Sequence, residues 1–148
     1  MANAPGYENR QIDILFLQVD PARLGAASQR VPLSFGDSPK ITAGIQKTMQ
    51  AFLSLLFTKK GGAWNRSLGC EFLGALEQGF IRTPLAARNY FAKDVPGLVA
   101  QVNKGVTRAD EILTSAILED VVVERTHMSL RIRLRTAAGA SLTFLAPV

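Results

Sequence analysis

The sequence predicts an α+β fold in three parts: an N-terminal arm, a helical middle and a C-terminal three-strand antiparallel meander. Three observations lead there. Apolar residues recur at helical spacing between about 41 and 105, and after about 115 the period changes to alternation. Gly25, Pro32, Gly36 and Pro39 punctuate the stretch before the first helix. A chain of 148 residues, 47% hydrophobic and 20% charged, suits one domain with a packed core. The boundaries expected are an arm over 1–36 and a domain over 37–148, with helices over about 41–105 and strands over about 115–147.

In the arm, residues 12–19 read as a strand that Asp20-Pro21 stops, because proline cannot donate to a ladder. Ile41, Ile45, Met49, Phe52, Leu53 and Leu56 then fall on one helix face, with Lys47 and Gln50 opposite. Ser38 or Thr42 is the expected cap, with Pro39 tolerated in the first turn. Lys59, Lys60 and Gly61-Gly62 are expected to end that helix. A loop with Trp64 and Asn65 leads to a short helix striped by Phe72, Leu73 and Leu76. Thr83-Pro84 reads as a cap and first-turn proline opening a third helix through Leu85, Tyr90 and Phe91. Pro96 interrupts the pattern, and Leu98, Val99 and Val102 resume it. Phe52, Phe57, Phe72 and Phe80 are all placed in the core.

The clearest alternation comes last. Residues 117–123 hold three consecutive valines, and Met128, Leu130, Ile132 and Leu134 alternate with Ser129, Arg131, Arg133 and Arg135. The segment 125–127 joins these strands, Ala137-Ala138-Gly139-Ala140 turns the chain, and Ser141-Leu142-Thr143-Phe144 alternates again.

The residues offer no pattern for catalysis. His127, the single histidine, sits in an expected strand connection without a partner motif, and Cys70, the single cysteine, reads as a packed apolar side chain. Glu71 and Glu77 are six apart, while Asp110-Glu111 and Glu119-Asp120 are adjacent, so each pair diverges instead of flanking one bond. Lys59-Lys60-Gly61-Gly62 lacks the order of a phosphate loop. The expectation is no enzyme, no cofactor, no metal and no small-molecule substrate. No apolar run approaches the ~18 residues of a membrane span, and residues 1–11 lack the signature of a signal peptide. The net charge of +5 raises a nucleic-acid reading, but aromatic residues are sparse and the bases cluster only near the C-terminal end.

That cluster points to a protein partner. Arg131, Arg133 and Arg135 share a strand face, and Glu119, Asp120 and Glu124 lie on the strand before it. Residues 142–148 carry no charge, although exposed strand edges are normally blunted with charge. An uncharged terminal strand suits pairing with a strand of another chain, with the arginines selecting an acidic neighbour. A solvated, ion-paired face is the plainer reading of the arginines, and a covering strand over 12–19 is the competing occupant of the edge.

The segment Ile41-Thr-Ala-Gly-Ile-Gln-Lys, continued by Gln50-Ala-Phe-Leu-Ser-Leu-Leu-Phe-Thr-Lys-Lys-Gly, resembles the first helix of the baseplate wedge, or sheath initiator, proteins of contractile phage tails. In that family a short loop follows, then a Gly and an aromatic at the next helix, as in Leu68-Gly69-Cys70-Glu71-Phe72 here. Where the family carries Glu-Pro-Arg before its strands, this chain has Asp110-Glu111-Ile112-Leu113, keeping only the acid. The resemblance covers roughly 37–148. It implies a virion baseplate protein, made in the host cytoplasm, whose sheath-like interlocking domain surrounds the tail tube and templates the first sheath ring. Its implied partners are the tail sheath protein at Arg131, Arg133, Arg135, Leu142 and Phe144, baseplate wedge proteins at Glu111, and the tail tube. A nucleic-acid-binding or head–tail adaptor is the alternative, and a peptidoglycan hydrolase, a label some members carry, is a more distant one.

Overall fold

The computed structural model describes residues 13–15, 40–123, 125 and 128–148. The elements run β1 (Asp13–Leu15), β2 (Lys40–Thr42), α1 (Ile45–Leu56), α2 (Phe72–Glu77), α3 (Pro84–Asn103), β3 (Leu113–Val123), β4 (Met128–Thr136) and β5 (Ser141–Pro147). The chain is α+β, with a helical middle and a C-terminal antiparallel sheet in the order β3-β4-β5. β1 lies inside the strand expected over 12–19, but its partner is β2, with Ile14 opposite Ile41. Most of the arm over 1–36 lies outside the described residues, as do Glu124, Thr126 and His127.

The sheet buries the face that the alternation marks. Leu130, Ile132 and Leu134 of β4 are fully buried, flanked by Ala116, Leu118 and Val121 of β3 and by Leu142, Phe144 and Ala146 of β5. α1 and α3 supply the second layer with Phe52, Leu56, Phe91 and Leu98. Phe91 sits edge-on to two rings, 6.1 Å from Phe52 and 6.4 Å from Phe72, which is the favoured aromatic geometry.

α1 begins later than its apolar pattern suggests, because residues 40–42 are drawn into the ribbon with β1. Ile41 therefore belongs to β2, and the N-cap is Gly44, not Thr42. Gln50 is only 1% exposed, against the expectation of a polar outer face. α1 touches α3, the sheet and β1, so more than one of its faces is covered. The helix ends at Leu56, three residues before the lysines, and Lys59 instead bridges to Cys70 in parallel.

α2 closes with the reciprocal bonds of a Schellman motif. Gly79, at φ 75°, donates to Leu76, and Phe80 donates back to Ala75. The reversal carries Phe80 off the apolar stripe, so it is 59% exposed and not in the core. α3 runs through Pro96 without stopping. Ala92, whose carbonyl loses its partner there, is exposed to water, as is Pro96. Ala87, Phe91, Leu98 and Val102 keep one buried stripe along its length.

The opening of α3 follows the sequence reading: Pro84 is in the first turn, and the Thr83 hydroxyl accepts from Ala86 N–H at 3.2 Å. Thr83→Ala is expected to lower stability by about 1 kcal/mol. Phe80→Ala, at an exposed position, is expected to stay within about 0.5 kcal/mol. Chemical denaturation of the two variants checks both values.

Candidate functional site

A three-stranded sheet leaves two edges, and here they differ. Met128 and Val148 exchange both backbone bonds, and Thr136 donates to Ala140 at the other end of the same hairpin. Antiparallel pairs alternate between bonded and non-bonded, so Leu130–Ala146, Ile132–Phe144 and Leu134–Leu142 are the bonded pairs between. Ser141, Thr143 and Leu145 therefore turn their N–H and C=O away from β4. Pro147 follows in the same outward series with no N–H to offer, a position at which proline costs no ladder bond. Among the described residues nothing bonds to these three amides, and of the three residues Ser141 and Thr143 reach the surface whereas Leu145 is 7% exposed. β1 pairs with β2 and does not cover them.

The β3 edge is blunted. Its pairing with β4 shifts register twice, at Leu113/Ser115 and at Leu118/Asp120. The Asn103 amide clamps the Leu113 backbone by two bonds of 2.8 Å, Arg88 donates to the Glu119 carbonyl at 3.1 Å, and the Asp120 carboxylate accepts from Val121 N–H at 2.9 Å. Bulges and a covering helix are the usual means of silencing an edge. β5 pairs without a register break and carries no charge. Asn103 and Arg88 had no sequence signal, because their role rests on α3 lying along β3.

The arginines do share the outer face, but they are not equally available. Arg133 pairs with Glu119 at 2.9 Å, and Arg131 is half-buried and engaged. Arg135 is exposed, without a side-chain partner among the described residues. Asp120 lies 4.0 Å from Arg88, so cross-strand pairing accounts for only part of the face. Half-exposed pairs of this kind contribute little stability. Leu142 and Phe144 point into the core, which leaves only their neighbours' backbone and not their side chains for an incoming strand.

Glu111 is drawn inward. One carboxylate oxygen accepts from Gly44 N–H at 3.1 Å and the other pairs with Lys47 at 3.1 Å, while the Glu111 carbonyl accepts from the Thr48 hydroxyl at 2.8 Å. The side chains are 5% and 17% exposed. α1 lacks a side-chain cap of its own, so a carboxylate from 67 residues away fills that place at the positive end of the helix. A wedge contact at Glu111 would have to act through α1, since both carboxylate oxygens are engaged.

The other acids are also committed. Glu71 pairs with Lys93 at 2.6 Å, which holds its carboxyl below the usual value and raises the Lys93 ammonium, and Glu77 pairs with Lys59 at 3.2 Å. Burial pushes the Cys70 thiol up to about 11, in keeping with a packing role. Among the described residues no cluster of three or more His, Cys, Asp or Glu is placed to hold a metal ion, and no helix is long and apolar enough to cross a membrane. No known protein family, curated protein or solved structure matches the chain.

Removing the Glu111 carboxylate leaves Lys47 and the Gly44 N–H without their shared partner. Glu111→Ala is expected to cost about 3 kcal/mol, and Glu111→Gln, which keeps a hydrogen-bond acceptor, distinctly less. Denaturant melts checked by helical circular dichroism measure the difference.

Proposed function

We propose that this chain is a structural component of a contractile-tail baseplate, seated around the tube, that starts the sheath by accepting a strand from the first sheath ring. The observation that carries the reading is the β5 edge: outward amides at Ser141 and Thr143, with Leu145 beyond them buried at 7% exposure, on a strand without charge. Strand addition draws affinity from such main-chain groups. Arg135 and the rest of the outer arginine face favour an acidic neighbour. The resemblance of the first helix and of Leu68-Gly69-Cys70-Glu71-Phe72 to sheath initiators supplies the assembly in which such an edge would serve. In this reading the meander is the sheath-like interlocking domain, and wedge proteins hold the helical part.

A nucleic-acid adaptor has less support, because Arg133 and Arg131 are already engaged and no aromatic side chain of β4 or β5 faces outward.

Thr143→Pro removes one outward amide and no bond to β4, so the fold should survive. Baseplates carrying it should assemble but initiate sheath poorly, whereas Thr143→Val should initiate normally; electron microscopy counts sheathed tubes. Ser141→Pro repeats the test one pair along the edge. Normal sheath on both proline variants rules out strand pairing at β5.

A further inference from the structure

A second surface lies on the helices. Between α2, the start of the loop that follows α1, and α3 is an open groove of about 320 Å³. It is lined by the small residues Cys70, Gly74 and Ala75 and by the rings of Phe80 and Tyr90. Lys59, Lys60 and Lys93 stand on its rim beside a single acid, Glu71. Lys59 and Lys93 are paired with Glu77 and Glu71, while Lys60 makes no close ion pair among the described residues and acts on Glu71 only from a distance. Four residues beyond Lys60, and so within about 14 Å of it along the chain, Trp64 is 93% exposed. Arg66 follows it, exposed and also without a partner among the described residues.

The loop that carries these groups is held in place. Lys60 N–H donates to Cys70, Cys70 N–H to Thr58, and Leu68 N–H to Asn65, whose own side chain accepts from Ser67. Gly69 is clamped on both backbone groups by the Gln101 amide, at 2.9 and 3.0 Å. A Cβ there would come within 2.2 Å of the Thr58 carbonyl, so only glycine allows this approach. Because both ends of the loop are held, its backbone loses little entropy when a partner covers the indole. Trp and Arg are also the residue types that most often anchor interfaces.

We infer that the groove between α2 and α3, together with the Lys60–Arg66 side of the loop, docks an acidic peptide segment of another protein through an apolar side chain set on Ala75 and Phe80. Charge decides the occupant. Lys60 and Arg66 are two cations without a close ion pair among the described residues, which match one or two carboxylates flanking an apolar anchor. A nucleic-acid backbone needs a longer run of free cations than this face offers. The inference rests on elements apart from β5 and does not depend on the sheath reading.

The test uses the full chain and a library of random short peptides, with the recovered sequences as the first readout. Enrichment of Asp or Glu around Leu or Phe is expected. Since Trp64 is the sole tryptophan, binding should blue-shift the emission of the chain. Gly74→Leu fills the groove, where a Cβ has room at 3.5 Å from the Lys59 side chain, and should abolish binding. Lys60→Glu should weaken it about tenfold. Phe80→Ala, at an exposed site, gives the same loss without risk to the core. Thr143→Pro should bind the peptides as the parent does, which separates this surface from the β5 edge. The inference is overturned if no peptide is enriched, if the enriched peptides lack acids, if Gly74→Leu and Phe80→Ala bind undiminished, or if single-stranded oligothymidine displaces the peptide.

Discussion

The packing of one strand face sets the terms for the molecule. Leu130, Ile132 and Leu134 make β4 the floor of the core, and a sheet this narrow needs a covering layer to be stable. α1 and α3 provide it, and α3 lies close enough to β3 to place Asn103 and Arg88 on that edge. No such contacts serve β5, whose outward groups are bonded to nothing else among the described residues. The asymmetry of the edges follows from where the helices lie, and only one of them is left with the regular geometry that strand pairing needs.

Glu111 ties the two layers together. It sits at the turn into the sheet, yet its carboxylate caps α1 and its carbonyl holds Thr48. A helix without a local cap thus takes its N-terminal partner from the far side of the domain, and the start of α1 is fixed relative to the start of β3. In the proposed assembly, force or binding at the wedge side would reach the sheet through this clasp.

The alternation in 128–144 was enough to assign the meander and its buried face, because a period of two has one solution once a face is apolar. It also contained the outward parity of Ser141 and Thr143, which only the register could anchor. The three arginines were legible as a face with acids on the strand before it, but which arginine takes which acid was not: Arg133 pairs with Glu119, the residue at the register shift between Leu118 and Asp120. The inward role of Glu111 was hidden for a similar reason: Lys47 lies 64 residues away. Gln50 and Phe80 show where periodicity misleads. A helix covered on several sides buries a polar residue, and a glycine turn two residues past a short helix exposes a phenylalanine. The groove and the Trp64 loop had no sequence signature beyond an apolar residue in a turn.

Amide-resolved hydrogen exchange of the isolated chain by NMR addresses the open edge most directly. Along β5 an alternating pattern is predicted, with Ser141 and Thr143 exchanging fast and Leu142 and Phe144 protected close to the level of global unfolding. Uniform protection along the strand would mean that the chain covers its own edge, and strand pairing with a partner at β5 would be untenable.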